Sequence, residues 1–168
     1  KILLGVTGSI AAYKAAELIR LLRKNDFFVQ VVLTKSAKQF VTPLTLQALS
    51  GNPVLENMWD PSEGNGMEHI NQSRTADLIL IAPSSGNFIA KLANGIADDL
   101  LTNLCLARSC PLLVAPAMNV EMFENNATQR NIETIKEDGI LISGPDLGEQ
   151  ACGEIGLGRL INFKSLML

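Results

Sequence analysis

Short, uninterrupted apolar runs alternate along this chain with stretches in which apolar residues recur every three to four positions. Ile2–Val6 is the first run; after Thr7-Gly8-Ser9, residues 11–24 set Ala12, Ala15, Ala16, Ile19 and Leu22 at helical spacing. The chain therefore opens as strand, turn and helix. Residues 27–33 predict a second strand, which ends in Thr34-Lys35-Ser36. Residues 37–49 predict a helix in two pieces, broken at Pro43 and stopped by Gly51-Asn52-Pro53. Residues 60–66, rich in Pro, Ser, Gly and Asn, predict a flexible loop. Further on, the pattern predicts a strand over 77–82, a helical stretch over 86–107 interrupted near Gly95, a strand over 112–115, a helix over 127–137 and a strand over 140–142. Continuous Val/Ile/Leu runs between helices are what a parallel sheet covered on both faces requires. The expected fold class is α/β, a three-layer, doubly wound, Rossmann-like parallel sheet. With no internal repeat and no linker, residues 1–168 are expected to form a single domain.

Composition narrows the partners. A domain of 168 residues buries about 70% of its unfolded surface, so it needs no disulfide or metal staple. Three cysteines, at spacings that match no zinc pattern, argue against a disulfide framework and a metal site and suit a reducing compartment; cytoplasm is expected. The formal charge is -3 with lysines and arginines scattered, which offers no basic stripe, so no nucleic-acid partner is expected. No apolar run approaches the roughly 20 residues that span a bilayer, so no membrane association is expected. Lys1 opens directly into a strand, which predicts no signal peptide, and the missing initiator methionine predicts a trimmed chain.

In doubly wound sheets, ligands bind beyond the carboxyl ends of the strands, against helix N-termini. Gly5-Val6-Thr7-Gly8-Ser9 lacks the third glycine of a dinucleotide fingerprint and the Gly-Lys-Ser/Thr of a P-loop. At the second strand end, where an NAD site places an acid for the ribose, stand Thr34, Lys35 and Ser36; hydroxyls and a cation suit a phosphate. Pro83-Ser84-Ser85-Gly86-Asn87 follows the third strand with more small donors. Taken singly, each Ser or Asn is more often a helix N-cap. Jointly, at three strand ends, they favour a mononucleotide with a terminal phosphate, and FMN is one candidate.

Three further residues carry candidate chemistry. Asn119, in Pro116-Ala117-Met118-Asn119, offers an amide at the crevice, or simply a cap for the next turn. His69 is the sole histidine; a single His is more often structural than catalytic, yet its ordinary pKa suits proton transfer near neutrality. Cys152 sits in Gln150-Ala151-Cys152-Gly153-Glu154-Ile155-Gly156-Leu157-Gly158-Arg159, where spaced glycines predict a mobile flap over about 144–160. Cys105 and Cys110, in an apolar stretch, read instead as buried small hydrophobes.

Met67-Glu68-His69-Ile70, the run from Ala76 to Asn87, Pro116 to Met122 and Gly144 to Arg159 together resemble the flavin-containing cysteine decarboxylases, in order over nearly the whole chain. The resemblance implies a flavodoxin-like site for FMN lined by Gly8, Ser9, Ile10, Thr34, Ser36, Ser85, Gly86, Asn87, Phe88 and Ala117. It implies a base at His69, a substrate-binding amide at Asn119 and a proton donor at Cys152, with Met118, Ala151 and Arg159 also at the substrate. Arg159 reads equally as a phosphate ligand or a structural ion pair. Phe123 departs from the family, many of whose members carry Trp or Tyr there. The flap form is that of the branch serving coenzyme A biosynthesis, which implies 4'-phosphopantothenoylcysteine as substrate and 4'-phosphopantetheine as product. The resemblance further implies a homotrimer, assembled in some members into a dodecamer, and in fused bacterial members a phosphopantothenate–cysteine ligase domain beyond the counterpart of Leu168.

The implied chemistry accounts for a flavin. Loss of CO2 from a cysteine carboxylate leaves electrons at Cα with no sink, whereas prior oxidation of the thiol to a thioaldehyde supplies one; re-reduction of the enethiolate then makes the net reaction non-redox. Two other readings share parts of the pattern. A peptidyl-cysteine decarboxylase of lantibiotic maturation has the His and Asn motifs, but the Gly-Pro-Asp-x-Gly-x-x-Ala-Cys-Gly flap argues for the coenzyme A branch. A non-catalytic flavin-binding regulatory subunit would not need His69, Asn119 and Cys152 together, and the same three residues disfavour a flavin prenyltransferase.

Overall fold

Val, Ile and Leu fill the strands because both faces of the sheet are covered. The computed structural model describes residues 1–60 and 67–167, apart from the side chains of Glu68 and His69. In chain order its elements are β1 (Ile2–Val6), a 3-10 turn (Ile10–Lys14) leading into α1 (Ala15–Lys24), β2 (Val29–Leu33), a second 3-10 turn (Ala37–Gln39) and α2 (Pro43–Ser50). There follow α3 (Glu68–Thr75), β3 (Leu78–Ser84), α4 (Gly86–Asn94), α5 (Leu100–Leu106), β4 (Leu112–Pro116), α6 (Val120–Glu124), α7 (Asn126–Glu137), β5 (Leu141–Ile142), β6 (Asp146–Glu149), β7 (Ile155–Arg159) and α8 (Phe163–Leu166).

Strands β1 to β5 form one parallel sheet in the order β2-β1-β3-β4-β5. Strand order reverses between β1 and β3, and such a switch point opens the ligand crevice of a doubly wound sheet. Side chains alternate between two cores. Ile2, Leu4 and Val6 join Val31, Leu80 and Ala82 against Leu18, Ile19 and Leu22 of α1 and Phe163 of α8. Leu3, Ile79, Ile81, Leu112 and Val114 face the other way, against Ile89 of α4, Leu101 and Leu104 of α5 and Ile135 of α7. Each such side chain is worth roughly 1.5–3 kcal/mol when buried, so burial on both faces selects continuous apolar strands. Gly5 lets α5 close on the sheet: a Cβ there would stand 2.6 Å from Ile81 Cδ1 and 2.8 Å from the Leu101 methyls.

The doubly wound parallel sheet is as expected. Pro43 opens α2, Gly51 ends it at φ 75°, and Gly95 ends α4 at φ 64°. Several elements differ from the sequence reading. The first helix begins as a 3-10 turn, and α6 and α8 are additional short helices. The segment expected as a flap, about 144–160, contains a paired antiparallel hairpin, β6–β7, which the sequence reading does not assign. Its glycines serve packing: Gly148 faces Gly156 across the pair, and a Cβ on Gly156 would meet Val120 Cγ2 at 2.5 Å. Of the expected loop at 60–66, residues 61–66 lie outside the described residues. Among the described residues, no helix is long and apolar enough to cross a membrane, and no cluster of His, Cys, Asp and Glu suits a metal ion.

Candidate active site

One cleft of about 710 Å³ lies beyond the β1, β3 and β4 ends, closed on its far side by the hairpin. That volume falls in the range of about 300–1,000 Å³ typical of small-ligand pockets. Its floor is cross-braced by Thr7, a buried residue whose hydroxyl donates to Pro83 O at 2.7 Å and accepts from Ser85 N–H at 2.9 Å. The β1 and β3 ends are thereby held as one surface. Ser9 Oγ accepts from Ala11 N–H at 3.2 Å and Ser85 Oγ from Phe88 N–H at 3.1 Å, so both cap helices as single-residue reading expects. A cap uses the hydroxyl as acceptor and leaves its hydrogen free, while the first N–H groups of α4 have no intrahelical partner. Ser84 Oγ, at the end of β3 and outside the cleft lining, is fully buried with no hydrogen-bond partner among the described residues. Donors without acceptors at a helix N-terminus fit an anionic phosphate.

The opposite wall carries the reactive groups. Asn119 caps α6 through Oδ1, which accepts from Glu121 N–H at 2.9 Å and Met122 N–H at 3.3 Å. That fixes the amide so that Nδ2 faces the hairpin tip, where it donates to Cys152 Sγ at 3.7 Å and to Glu154 Oε2. Cys152 Sγ lies 3.5 Å from the same Glu154 oxygen. The tip is anchored by Gln150, whose Oε1 accepts from Val120 N–H at 3.0 Å. Below it, Met118 N–H donates to Gly158 O at 2.9 Å. Gly158 has φ 144°, and a Cβ there would fall 2.2 Å from Met118 O. Arg159 lies across Gly148 and, among the described residues, has no ion-pair partner.

Of the residues singled out in the sequence, the cleft brings together Gly8, Ser9, Ile10, Ser85, Gly86, Ala117, Met118, Asn119, Ala151, Cys152 and Arg159. It does not bring in four others. Phe88 points into the core, Asn87 is exposed, Ser36 is exposed behind Gly8, and Thr34 Oγ1 accepts from Ala37 N–H at 3.2 Å. His69 lies in the first turn of α3, and its side chain is outside the described residues. Sequence reasoning missed Tyr13, Lys14, Phe40, Glu149 and Gln150 in the lining, and Glu154 beside the thiol. Glu154 had a signal: an acid two residues from Cys152 on a glycine-rich turn is set to fold back on it.

The Flavoprotein family matches residues 1–167. The coenzyme A biosynthesis bifunctional protein CoaBC of Vibrio vulnificus is 52% identical over 167 residues, 99% of this chain and 42% of that protein. The chain thus spans about two-fifths of the length of such relatives. A probable phosphopantothenoylcysteine decarboxylase of Streptococcus mutans is 45% identical over 169 residues, 99% of this chain and 94% of that protein. Among solved structures, a cysteine-to-serine variant of a PPC decarboxylase, complexed with pantothenoylaminoethenethiol, superposes with a TM-score of 0.87 at 33% identity, covering 98% of this chain and 92% of that one.

Proposed function

The chain belongs to the Flavoprotein family, and from that premise we propose that it binds FMN and decarboxylates 4'-phosphopantothenoylcysteine to 4'-phosphopantetheine. The observation that carries the reading is the placing of Asn119 Nδ2 and Cys152 Sγ, 3.7 Å apart, across one cleft from a phosphate-type helix N-terminus. A family of flavoproteins and a site for one phosphate rather than a dinucleotide together favour FMN, held by Gly8, Ser9, Ile10, Ser85, Gly86 and Ala117. Thr34, Ser36, Asn87 and Phe88, which the resemblance also implied for FMN, lie outside the lining of the cleft.

When bound, FMN would supply a reversible two-electron sink for the carbon that bears the substrate thiol. His69 takes the thiol proton as that carbon is oxidised. Asn119 Nδ2 holds the carboxylate on Cα, and Cys152 returns a proton to Cα once CO2 has left. The PPC decarboxylase variant bears on that order, because the pantothenoylaminoethenethiol bound to it already lacks the carboxylate. Met118 and Ala151 flank the substrate, and Arg159, free of an ion-pair partner among the described residues, reads as a ligand for its phosphate.

We further infer a homotrimer, assembling to a dodecamer, in the cytoplasm; the exposed apolar residues Leu147, Ile155 and Leu157 of the hairpin and Tyr13 and Phe40 at the cleft mouth support buried contacts between copies. Residues 1–168 act as a decarboxylase unit, and a phosphopantothenate–cysteine ligase domain, where one is joined to it, would supply a second activity. The test is direct. Purified protein should carry a visible flavin spectrum, run at three or twelve times 18.1 kDa, and release CO2 from 4'-phosphopantothenoylcysteine. Colourless protein that takes up no FMN, or flavoprotein that decarboxylates only a peptide C-terminal cysteine, would overturn the reading.

A further inference from the structure

Asn119 has one side-chain oxygen and two amide hydrogens to offer. The oxygen is committed to the α6 N-terminus. Its Nδ2 already donates at the hairpin tip to Glu154 Oε2 and to Cys152 Sγ. A substrate carboxylate that binds Asn119 therefore meets another carboxylate in its place.

The turn is built to put it there. Gln150 N–H donates to Glu154 O at 2.8 Å and Gly153 N–H to Gln150 O at 2.9 Å, with Gly153 at φ 86°. This closes a tight loop whose base is pinned to Val120 by the Gln150 side chain. Cys152 and Glu154 consequently ride on one short unit, and displacing one moves the other.

Resting on the functional reading above, we infer that Glu154 is an internal stand-in for the substrate carboxylate, and that its exchange with that carboxylate on Asn119 times proton delivery by Cys152. Substrate binding pushes Glu154, and the thiol with it, off Asn119. Loss of CO2 leaves Nδ2 without an acceptor, Glu154 returns, and the turn brings Sγ back over the carbon that has just lost its carboxylate. There the S–H bond breaks and a C–H bond forms at Cα with the electron pair of the enethiolate. The negative charge passes to Sγ, and solvent restores its proton, since Cys152 is exposed. The thiol thus stands aside while the carboxylate occupies Asn119 and comes over Cα once Cα can take its proton.

The test compares two ligands that differ only by the carboxylate. Removing the competitor in Glu154→Ala should lower KM for 4'-phosphopantothenoylcysteine about 3- to 10-fold, the scale of the net contribution of one ordinary hydrogen bond, while Ki for 4'-phosphopantetheine stays the same. Glu154→Gln, which can still accept from Nδ2, should fall between. In single turnover, Glu154→Ala should release CO2 at the parent rate yet form the saturated thiol several-fold more slowly, with an enethiol lighter by two hydrogens accumulating. If KM and Ki fall together and Gln behaves as Ala, Glu154 is only a repelling rim charge. Unchanged KM with full reduction at the parent rate overturns the inference alone, whereas parent protein that releases no CO2 overturns the functional reading beneath it.

Discussion

Cys105 and Cys152 are the same side chain in opposite surroundings. Cys105 is 1% exposed, and burial pushes its thiol up from the ordinary 9.0 to about 12. A group that keeps its proton longer when folded stabilises the fold fully below its unfolded pKa and loses that contribution as pH rises through the folded one. Stability should therefore fall by about 1.4 kcal/mol per pH unit between roughly 9 and 12 from this group alone. Denaturation midpoints measured against pH for the parent and Cys105→Ala test it, since the variant should lack that increment of slope. Cys152 is exposed at the hairpin tip, where a thiol serves chemistry rather than packing. In the proposed mechanism its proton is needed only after CO2 has gone, so Cys152→Ser should reduce its flavin and release CO2 once, then stall with the enethiol bound. Release of no CO2 would move Cys152 to an earlier step, and normal turnover would reduce it to a lid residue. The proposal sets His69 at the other end of the sequence of events. His69→Asn should keep flavin and fold but lose about 10²- to 10⁴-fold in rate, the scale of general acid–base catalysis; near-normal turnover would make the histidine structural.

Among elements, the parallel strands were legible because two-sided burial leaves a continuous apolar run, as in Ile2–Val6, and the helix ends because Pro43, Gly51 and Gly95 mark them. The hairpin was not legible, for the opposite reason. Its apolar residues Leu147, Ile155 and Leu157 are exposed, and its glycines, which weaken a strand in isolation, are demanded by Val120, Arg159 and Met118 pressing on them. Tertiary contacts decided that segment. Helix α6 is five residues long and owes its start to Asn119, too short for any periodicity to show. The two walls of the cleft depend on different glycines and should fail separately. A Cβ on Gly8 would lie 2.5 Å from Ser36 Cβ, forcing apart the β1 and β2 ends, so Gly8→Ala should weaken FMN binding. Gly158→Ala would strike Met118 O at 2.2 Å and lift the hairpin, so it should retain flavin yet lose most decarboxylation. Flavin titration beside CO2 release distinguishes the two, and equal loss of flavin in both variants would mean that the walls are not independent.

At the scale of the whole molecule, the cleft draws on residues from Gly8 to Leu160, so occupying it must hold nearly the full chain together. Much of this constellation was readable because chain order, strand ends and family resemblance converge on it; Phe40 was not, because only folding brings it near the rest. A ligand that binds the folded state alone adds RT ln(1 + [L]/Kd), about 2.7 kcal/mol at a hundredfold excess over Kd. For a domain of this size each kcal/mol raises Tm by about 2–4 °C, so FMN should raise it by about 5–10 °C. The rise should come as one cooperative transition, because Thr7 locks the β1 and β3 ends into a single surface. Thr7→Val keeps the shape but removes the hydroxyl that bridges Pro83 and Ser85, so it should lower the Tm of the flavin-free protein and shrink the FMN-induced shift as well. Calorimetry with and without FMN measures both. A full FMN shift on a destabilised Thr7→Val protein would show that the brace supports the fold without shaping the site, and equal Tm with and without FMN in the parent would mean that the folded chain takes up no FMN.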